Sequence, residues 1–302
     1  MPDLAIIVKD FRKLYGNFAA VDSLSFDVGR GEIFGLLGPN GAGKTTTLEC
    51  LEGLRRADGG SLRVLGLDPS LEFRKLSKSI GVQLQTSALP SHITVTEAFN
   101  LFSAYRRVKP DYSTLERLGL AEKGTSQYHS LSTGQKRRLT LALAVLHRPS
   151  VLFLDEPTAG LDVANRIALH ELMKELRREG TTIILSTHDL AEAETIADRV
   201  AILLRGRLAA IGTPRELTAA GKGLTKISVR TVGNSLTAAN FPGTVQGEYA
   251  ISYTDSPATA VAAVISQVEA AGDELIDLRV ERPSLEERFL ELTKDNKDQE
   301  DF

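Results

Sequence analysis

The chain has 302 residues, a single cysteine (Cys50) and no charge excess, because 36 Lys and Arg set against 39 Asp and Glu leave a formal net charge of −3. One thiol excludes an internal disulfide and a cysteine-built zinc cluster, and it fits a reducing, cytoplasmic compartment. Without a basic excess the chain lacks the electrostatic footprint that a long phosphate track requires, so nucleic acid is not an expected partner. Long apolar runs are missing as well. Stretches such as Leu139 to Leu146 and Val200 to Leu204 fall well short of the roughly 20 residues that span a bilayer. The start, Met1 to Val8, has no basic region ahead of a long apolar core and does not read as a signal peptide. No internal repeat or sustained heptad is found, which excludes a tandem arrangement and a long coiled coil.

What is present alternates between strand-like and helix-like patterns. Short β-rich segments at Leu4 to Val8, Ser25 to Val28 and Glu32 to Leu36 are separated by glycine-containing turns, and the last runs into Gly38. Thr46 to Leu54 has leucines at helical spacing and ends near the turn formers Asp58, Gly59 and Gly60. Residues from Val95 to about Leu146 read as a mostly helical insert. Continuous apolar runs at Val151 to Leu154 and Thr181 to Leu185 have the pattern of strands buried on both faces of a parallel sheet. Between them Val163 to Arg178 reads as a crossover helix. Asp189 to Ala197 predicts a further helix, and Val200 to Ile211 a hairpin. A small, polar linker is expected at 218–223. After it come strands, a helix at Ala258 to Ala271 and a helix at Ser284 to Thr293 with Ser284 and Glu287 spaced as a capping box. The charged residues 294–302 are expected to form a disordered tail.

Gly38-Pro39-Asn40-Gly41-Ala42-Gly43-Lys44-Thr45 fits the phosphate-loop pattern, in which glycines let backbone N–H groups curl around phosphate oxygens at a helix N-terminus. Lys44 is expected to neutralise the β and γ phosphates, and Thr45 to offer its hydroxyl to Mg²⁺. Asp155 and Glu156 follow the first apolar strand, which puts two carboxylates at the C-terminal sheet edge where phosphate loops also lie. Burying both is costly without a cation. Asp155 is expected to hold Mg²⁺, directly or through water, and Glu156 to accept a proton from attacking water.

Leu131-Ser132-Thr133-Gly134-Gln135 resembles the signature sequence of the ATP-binding-cassette (ABC) transporter nucleotide-binding subunits, and with it residues 4–217 resemble that family. Read alone, the stretch is an N-capped helix start with Ser132 or Thr133 as the cap. The resemblance implies an α/β fold: a P-loop ABC ATPase domain over 1–217 with an antiparallel β subdomain and a helical insert at about 86–148. A small α+β domain at 224–293 is expected beyond it. The ligands implied are ATP and Mg²⁺. The ATP-binding set would be Tyr15, stacking on adenine, with Gly38, Pro39, Asn40, Gly41, Ala42, Gly43, Lys44, Thr45 and Thr46. Gln85 looks like the glutamine that reaches Mg²⁺ and the attacking water, with Gln83 as a competing assignment; Thr45, Gln85 and Asp155 would then surround the metal. His188 resembles the switch histidine on the γ-phosphate, so that Glu156, His188, Lys44 and Gln85 form the catalytic set. The other four histidines carry no motif and are expected to pack or lie at the surface.

In this family the signature of one subunit completes the phosphate site of another. Ser132, Thr133, Gly134 and Gln135 would therefore serve ATP bound to a second copy, with Asp162 in the loop that crosses between the copies. Position 133 departs from the usual glycine, and the added bulk is expected to slow or weaken closure. The resemblance further implies a separate membrane permease, with the chain held on the inner face of the membrane through it. Segments Gln83 to Leu89, Leu131 to Leu141 and Pro283 to Phe289 most resemble exporter subunits of the drug and antibiotic resistance type. An importer subunit and a regulatory ATPase without transport are the alternatives. The C-terminal module is expected to serve dimerisation or regulation.

Overall fold

The computed structural model describes residues 3–298, apart from 87, 221–224, 234, 237–240, 242 and 282–283. The chain divides into two compact units, Met1–Thr213 and Pro214–Phe302.

In the first unit β1 (Leu4–Tyr15) and β2 (Phe18–Gly29) form a long hairpin, followed by β3 (Ile33–Leu37), α1 (Lys44–Leu51), β4 (Gly59–Val64), α2 (Phe73–Leu76) and β5 (Ile80–Gln83). The helical insert holds α3 (Val95–Arg106), α4 (Ser113–Arg117) and α5 (Thr133–Val145). Then come β6 (Val151–Asp155), α6 (Val163–Arg178), β7 (Thr182–Thr187), α7 (Leu190–Ile196), β8 (Arg199–Leu204) and β9 (Arg207–Gly212). Two sheets result: an antiparallel one ordered β2-β1-β4, and a six-stranded one ordered β5-β6-β7-β3-β8-β9. The latter is parallel throughout except for the β8–β9 hairpin.

The apolar runs behave as strands buried on both faces. Leu152 and Leu154 join a core with Leu139, Leu169, Leu172 and Met173 from α5 and α6. Val151 and Phe153 turn the other way, into a core with Leu48 and Leu51 of α1 and with Ile6, Phe11 and Leu24 of the hairpin. Each fully buried Leu, Ile or Phe contributes about 1.5–3 kcal/mol. The phenyl rings of Phe26 and Phe34 stack 5.2 Å apart and tie the two sheets together. In the insert, α3 opens on a reciprocal box in which Thr94 Oγ1 accepts from the Glu97 backbone N–H and Glu97 Oε2 accepts from the Thr94 backbone N–H.

Gly59 and Gly60, expected in a turn, lie inside β4 instead. Gly60 has φ +75°, and a Cβ there would meet the Asp10 carbonyl oxygen at 2.3 Å, so a glycine is required by the crossing of β1 rather than by a turn. The hairpin strands are each 12 residues long, where only their apolar ends were anticipated.

In the second unit α8 (Pro214–Ala220) is followed by β10 (Thr225–Thr231), β11 (Thr244–Gln246), β12 (Tyr249–Thr254), α9 (Pro257–Ala270), β13 (Leu275–Glu281) and α10 (Leu285–Asp298). The antiparallel sheet is ordered β11-β12-β10-β13. Ile227, Val229 and Ala250 of this sheet pack against Val264 and Val268 of α9. The Ser284–Glu287 box forms as expected, with each backbone N–H bonded to the other residue's side chain.

The first unit ends at Thr213 rather than at 217, because 214–217 open α8 of the second unit. Positions 218–220 of the expected linker belong to α8, whose Pro214 start suits a helix, while 221–223 lie outside the described residues. Positions 294–298 of the expected tail continue α10, since no Gly or Pro interrupts a helix that gains one hydrogen bond per added residue. Residues 299–302 lie outside the described residues.

Candidate functional site

The phosphate loop leaves the C-terminal end of β3 and enters α1 at Lys44. Its glycines are needed for close approach. A Cβ on Gly38 (φ +151°) would sit 2.3 Å from the Leu203 carbonyl oxygen, and one on Gly43 (φ +96°) 2.6 Å from that of Ala20. The Lys44 ammonium is buried and donates to the carbonyl oxygens of Gly38 at 2.7 Å and Pro39 at 3.2 Å. Burial lowers its pKa, while the nearby Glu156 and Asp155 carboxylates act in the opposite direction.

Sheet order brings the other groups to the same edge, because β7 lies between β3 and β6 and all three run parallel. Asp155 ends β6, and its Oδ1 accepts from Thr45 Oγ1 at 3.3 Å. Glu156 follows with φ +48°, a left-handed conformation uncommon for a residue with a side chain. It is buried, with Oε1 at 3.7 Å from Lys44 Nζ and Oε2 at 2.8 Å from His188 Nδ1. His188 follows β7 with its side chain 60% exposed, so Nδ1 faces the carboxylate while the rest stays open. The result is a cation flanked by two buried carboxylates and capped by an imidazole, a set able to bind an anionic group and move a proton beside it.

Ser186 carries no motif of its own in the sequence, yet it organises the acid pair. Its hydroxyl donates to Asp155 Oδ1 and accepts from the Glu156 backbone N–H at 3.1 Å. Its position at the end of an apolar strand, two residues before His188, was the available signal. His170 is buried, as a packing residue should be, but its Nε2 lies 3.0 Å from Glu192 Oε1.

The remaining sequence-predicted residues fall elsewhere in the first unit. Tyr15 ends β1 half-exposed, with the guanidinium of Arg55 5.6 Å and the ammonium of Lys13 5.7 Å from its ring centre. Gln85 is exposed beyond β5 and lines a shallow hollow with Tyr128, Thr133 and Lys136. Among the described residues no hydrogen bond links it to Thr45 or Asp155. Gln83, the competing glutamine, is buried and donates to Thr140 Oγ1 at 3.2 Å. Ser132, rather than Thr133, caps α5: its Oγ accepts from the Gln135 backbone N–H at 3.2 Å, and Gln135 Oε1 accepts from the Ser132 backbone N–H at 2.9 Å. Ser132 and Thr133 are exposed, whereas Gly134 is buried against Asn165. Asp162 caps α6 and holds Asn165 by backbone and amide bonds of 2.8 and 2.7 Å.

A family model described as ABC transporter matches residues 21–159. The chain is similar to the daunorubicin resistance ATP-binding protein DrrA3 of Streptomyces coeruleorubidus, 36% identical over 311 aligned positions that cover 98% of each protein. It is likewise similar to the Nod factor export ATP-binding protein I of Rhizobium sp. (strain N33), 38% identical over 305 positions covering 97% of this chain and 98% of the relative. Among solved structures, an ATP-binding subunit of an ABC transporter matches with a TM-score of 0.66 at 30% identity, spanning 70% of this chain and 91% of that one. Identity at this level across nearly the whole chain places the protein in the ABC transporter family, as an ATP-binding subunit that hydrolyses ATP.

Proposed function

We propose that the protein energises export of a drug-like or lipid-like substrate through a separate membrane permease. The observation that carries the reading is the cluster of Lys44, at the start of α1, with Glu156 and His188, just beyond β6 and β7, at one edge of the parallel sheet. The direction is taken from relatives named for daunorubicin resistance and Nod factor export.

In this reading Gly38 to Thr46 wrap the triphosphate, and Lys44 transfers its bonds from the Gly38 and Pro39 carbonyls to the β and γ phosphates. Tyr15 stacks on the adenine. Thr45 and Asp155 offer two hard oxygens 3.3 Å apart, which suits Mg²⁺ completed by phosphate oxygens and water. Bound there, Mg²⁺ would supply charge neutralisation on the phosphates. Gln85 is assigned to the metal and the attacking water, which requires its exposed segment to move inward. Glu156 accepts the proton of the attacking water, and His188 steadies that carboxylate and contacts the γ-phosphate.

Exposed Ser132 and Thr133 at the start of α5, with Gly134 and Gln135, serve the phosphates of a second copy, and Asp162 lies in the crossing loop. Two ATP molecules would then close a homodimer that opens on hydrolysis. No helix among the described residues is long and apolar enough to cross a membrane. We assign the permease contact to a groove of about 530 Å³ lined by Leu54, Phe73, Leu84, Phe102 and Tyr105 beside the helical insert. Tyr105 is 80% and Leu54 53% exposed there, an apolar surface suited to a helix from a partner. Such a contact holds the chain on the inner face of the membrane. The described residues of the C-terminal unit hold no catalytic constellation, and the unit is assigned to dimerisation or regulation.

The test is to tag the protein, extract it from native membranes in mild detergent with and without ATP, and identify its companions. A stoichiometric polytopic membrane protein is expected. A soluble dimer with no membrane companion under either condition would contradict the reading.

A further inference from the structure

A buried hydrogen-bond cluster outside the phosphate loop is centred on Glu192 of α7. Its side chain is fully buried. Oε2 accepts from Thr158 Oγ1 and from Thr187 Oγ1, each at 2.8 Å, and Oε1 faces His170 Nε2 at 3.0 Å. All three partners are buried and come from different parts of the fold: the loop after β6, the last residue of β7, and α6. The Glu192 backbone N–H is bonded to Asp189 Oδ1 at 2.9 Å, and the Asp189 backbone N–H to Thr187 Oγ1 at 3.0 Å. The carboxylate is thus itself fixed.

Two of these partners are neighbours of the reacting groups. Thr158 lies two residues after Glu156, and Thr187 immediately precedes His188. One oxygen of Glu192 therefore clamps the chain just beyond the carboxylate to the chain just before the imidazole. The 2.8 Å contact between Glu156 and His188 spans the same two segments. Glu156 is also held in a left-handed conformation, which persists only where the surroundings over-determine it.

We propose that Glu192 is a positioning residue for hydrolysis: by binding Thr158 and Thr187 through one oxygen, it sets the spacing of the Glu156 carboxylate and the His188 ring. The inference rests on the assignment of Glu156 and His188 to the reaction. A buried carboxylate that fixes two segments acts on the geometry of the reacting pair, where misplacement by about 1 Å costs on the order of 100-fold in rate. Its hydrogen-bond partners among the described residues, Thr158, Thr187, His170 and Asp189, lie outside the phosphate loop, so nucleotide affinity is expected to hold.

The test compares Glu192→Ala, Glu192→Gln, Glu156→Gln and His188→Ala in the full-length chain, with kcat, KM for ATP, affinity for a fluorescent ATP analogue and thermal midpoint measured on each. Glu192→Ala should lower kcat about 10–100-fold with KM and analogue affinity within twofold of wild type. Glu192→Gln should recover kcat to within about threefold, because its amide oxygen still accepts from both threonines while its NH₂ faces His170. If Glu192→Ala does not fold, Thr158→Val and Thr187→Val each remove one arm and should lower kcat several-fold at unchanged KM. Retained kcat in folded Glu192→Ala, a rise in KM alone, or a Gln variant no better than Ala would overturn the proposal. Full turnover in Glu156→Gln and His188→Ala would instead remove the assignment beneath it.

Discussion

Glu156 and His188, separated by 32 positions in the chain, meet at 2.8 Å between Oε2 and Nδ1, while the other carboxylate oxygen of Glu156 lies 3.7 Å from Lys44. The glutamate thus bridges the anion-binding cation and the imidazole. This bridge follows from strand order, since β3, β7 and β6 are consecutive and parallel: Glu156 and His188 directly follow β6 and β7, and the loop after β3 carries Lys44 to the same edge at the start of α1.

Lys44→Ala should weaken ATP binding by about 100-fold, the order expected when charge-assisted bonds of roughly 1.5–3 kcal/mol are lost. It should also leave Glu156 buried without its cation. Titration with a fluorescent ATP analogue checks this, and an unchanged affinity would show that Lys44 does not hold the phosphates.

His188→Ala should keep ATP affinity within a few-fold and lower turnover by about 100-fold, the usual scale for removing one group that acts on developing charge. Steady-state kinetics that showed a raised KM and an unchanged kcat would assign the ring to binding alone.

Thr133 is the first residue of α5 and is exposed. Thr133→Gly should tighten ATP-driven dimerisation, because the Ser132–Gln135 box still starts the helix and only bulk at the facing surface is removed. Light scattering with ATP measures it; an unchanged or weaker dimer would count against a steric role.

Glu52 gives a pH signature. Its carboxylate is buried and has no hydrogen-bond partner among the described residues, and burial, with Asp155 and Glu49 nearby, pushes its pKa up to about 8. For an acid with a raised folded-state pKa the native chain binds more protons than the unfolded one between its ordinary value, near 4.5, and about 8. Its contribution to stability therefore falls as pH rises through that window. Glu52→Gln should be more stable than wild type at pH 8.5, by a few kcal/mol at most, and close to it at pH 4.5. Equal denaturation midpoints at pH 8.5 would contradict the buried, unpartnered carboxylate.

Local features were readable from the residues. The apolar run from Val151 and the crossover helix Val163–Arg178 declare themselves by period and length, and the phosphate loop by its glycines. β4 was hidden because Gly59 and Gly60 carry a turn signal, while their actual cause is the approach of the Asp10 backbone 50 positions away. β5, with four residues, is too short to show a period. Ser186 and Glu192 were missed for a further reason: part of what gives each its role is a partner about 30 positions away, Glu156 for Ser186 and Thr158 for Glu192, which no local pattern records.

In the proposed mechanism Glu156 takes the proton of the attacking water in an ATP-closed dimer. Glu156→Gln, compared with wild type for ATP turnover and for ATP-dependent mass in solution, tests it most directly. Turnover should fall by about 1,000-fold, within the range for a lost general base, while a dimer persists as long as ATP is present. Wild-type turnover in this variant, or a monomer that hydrolyses nothing and never closes with ATP, would contradict it.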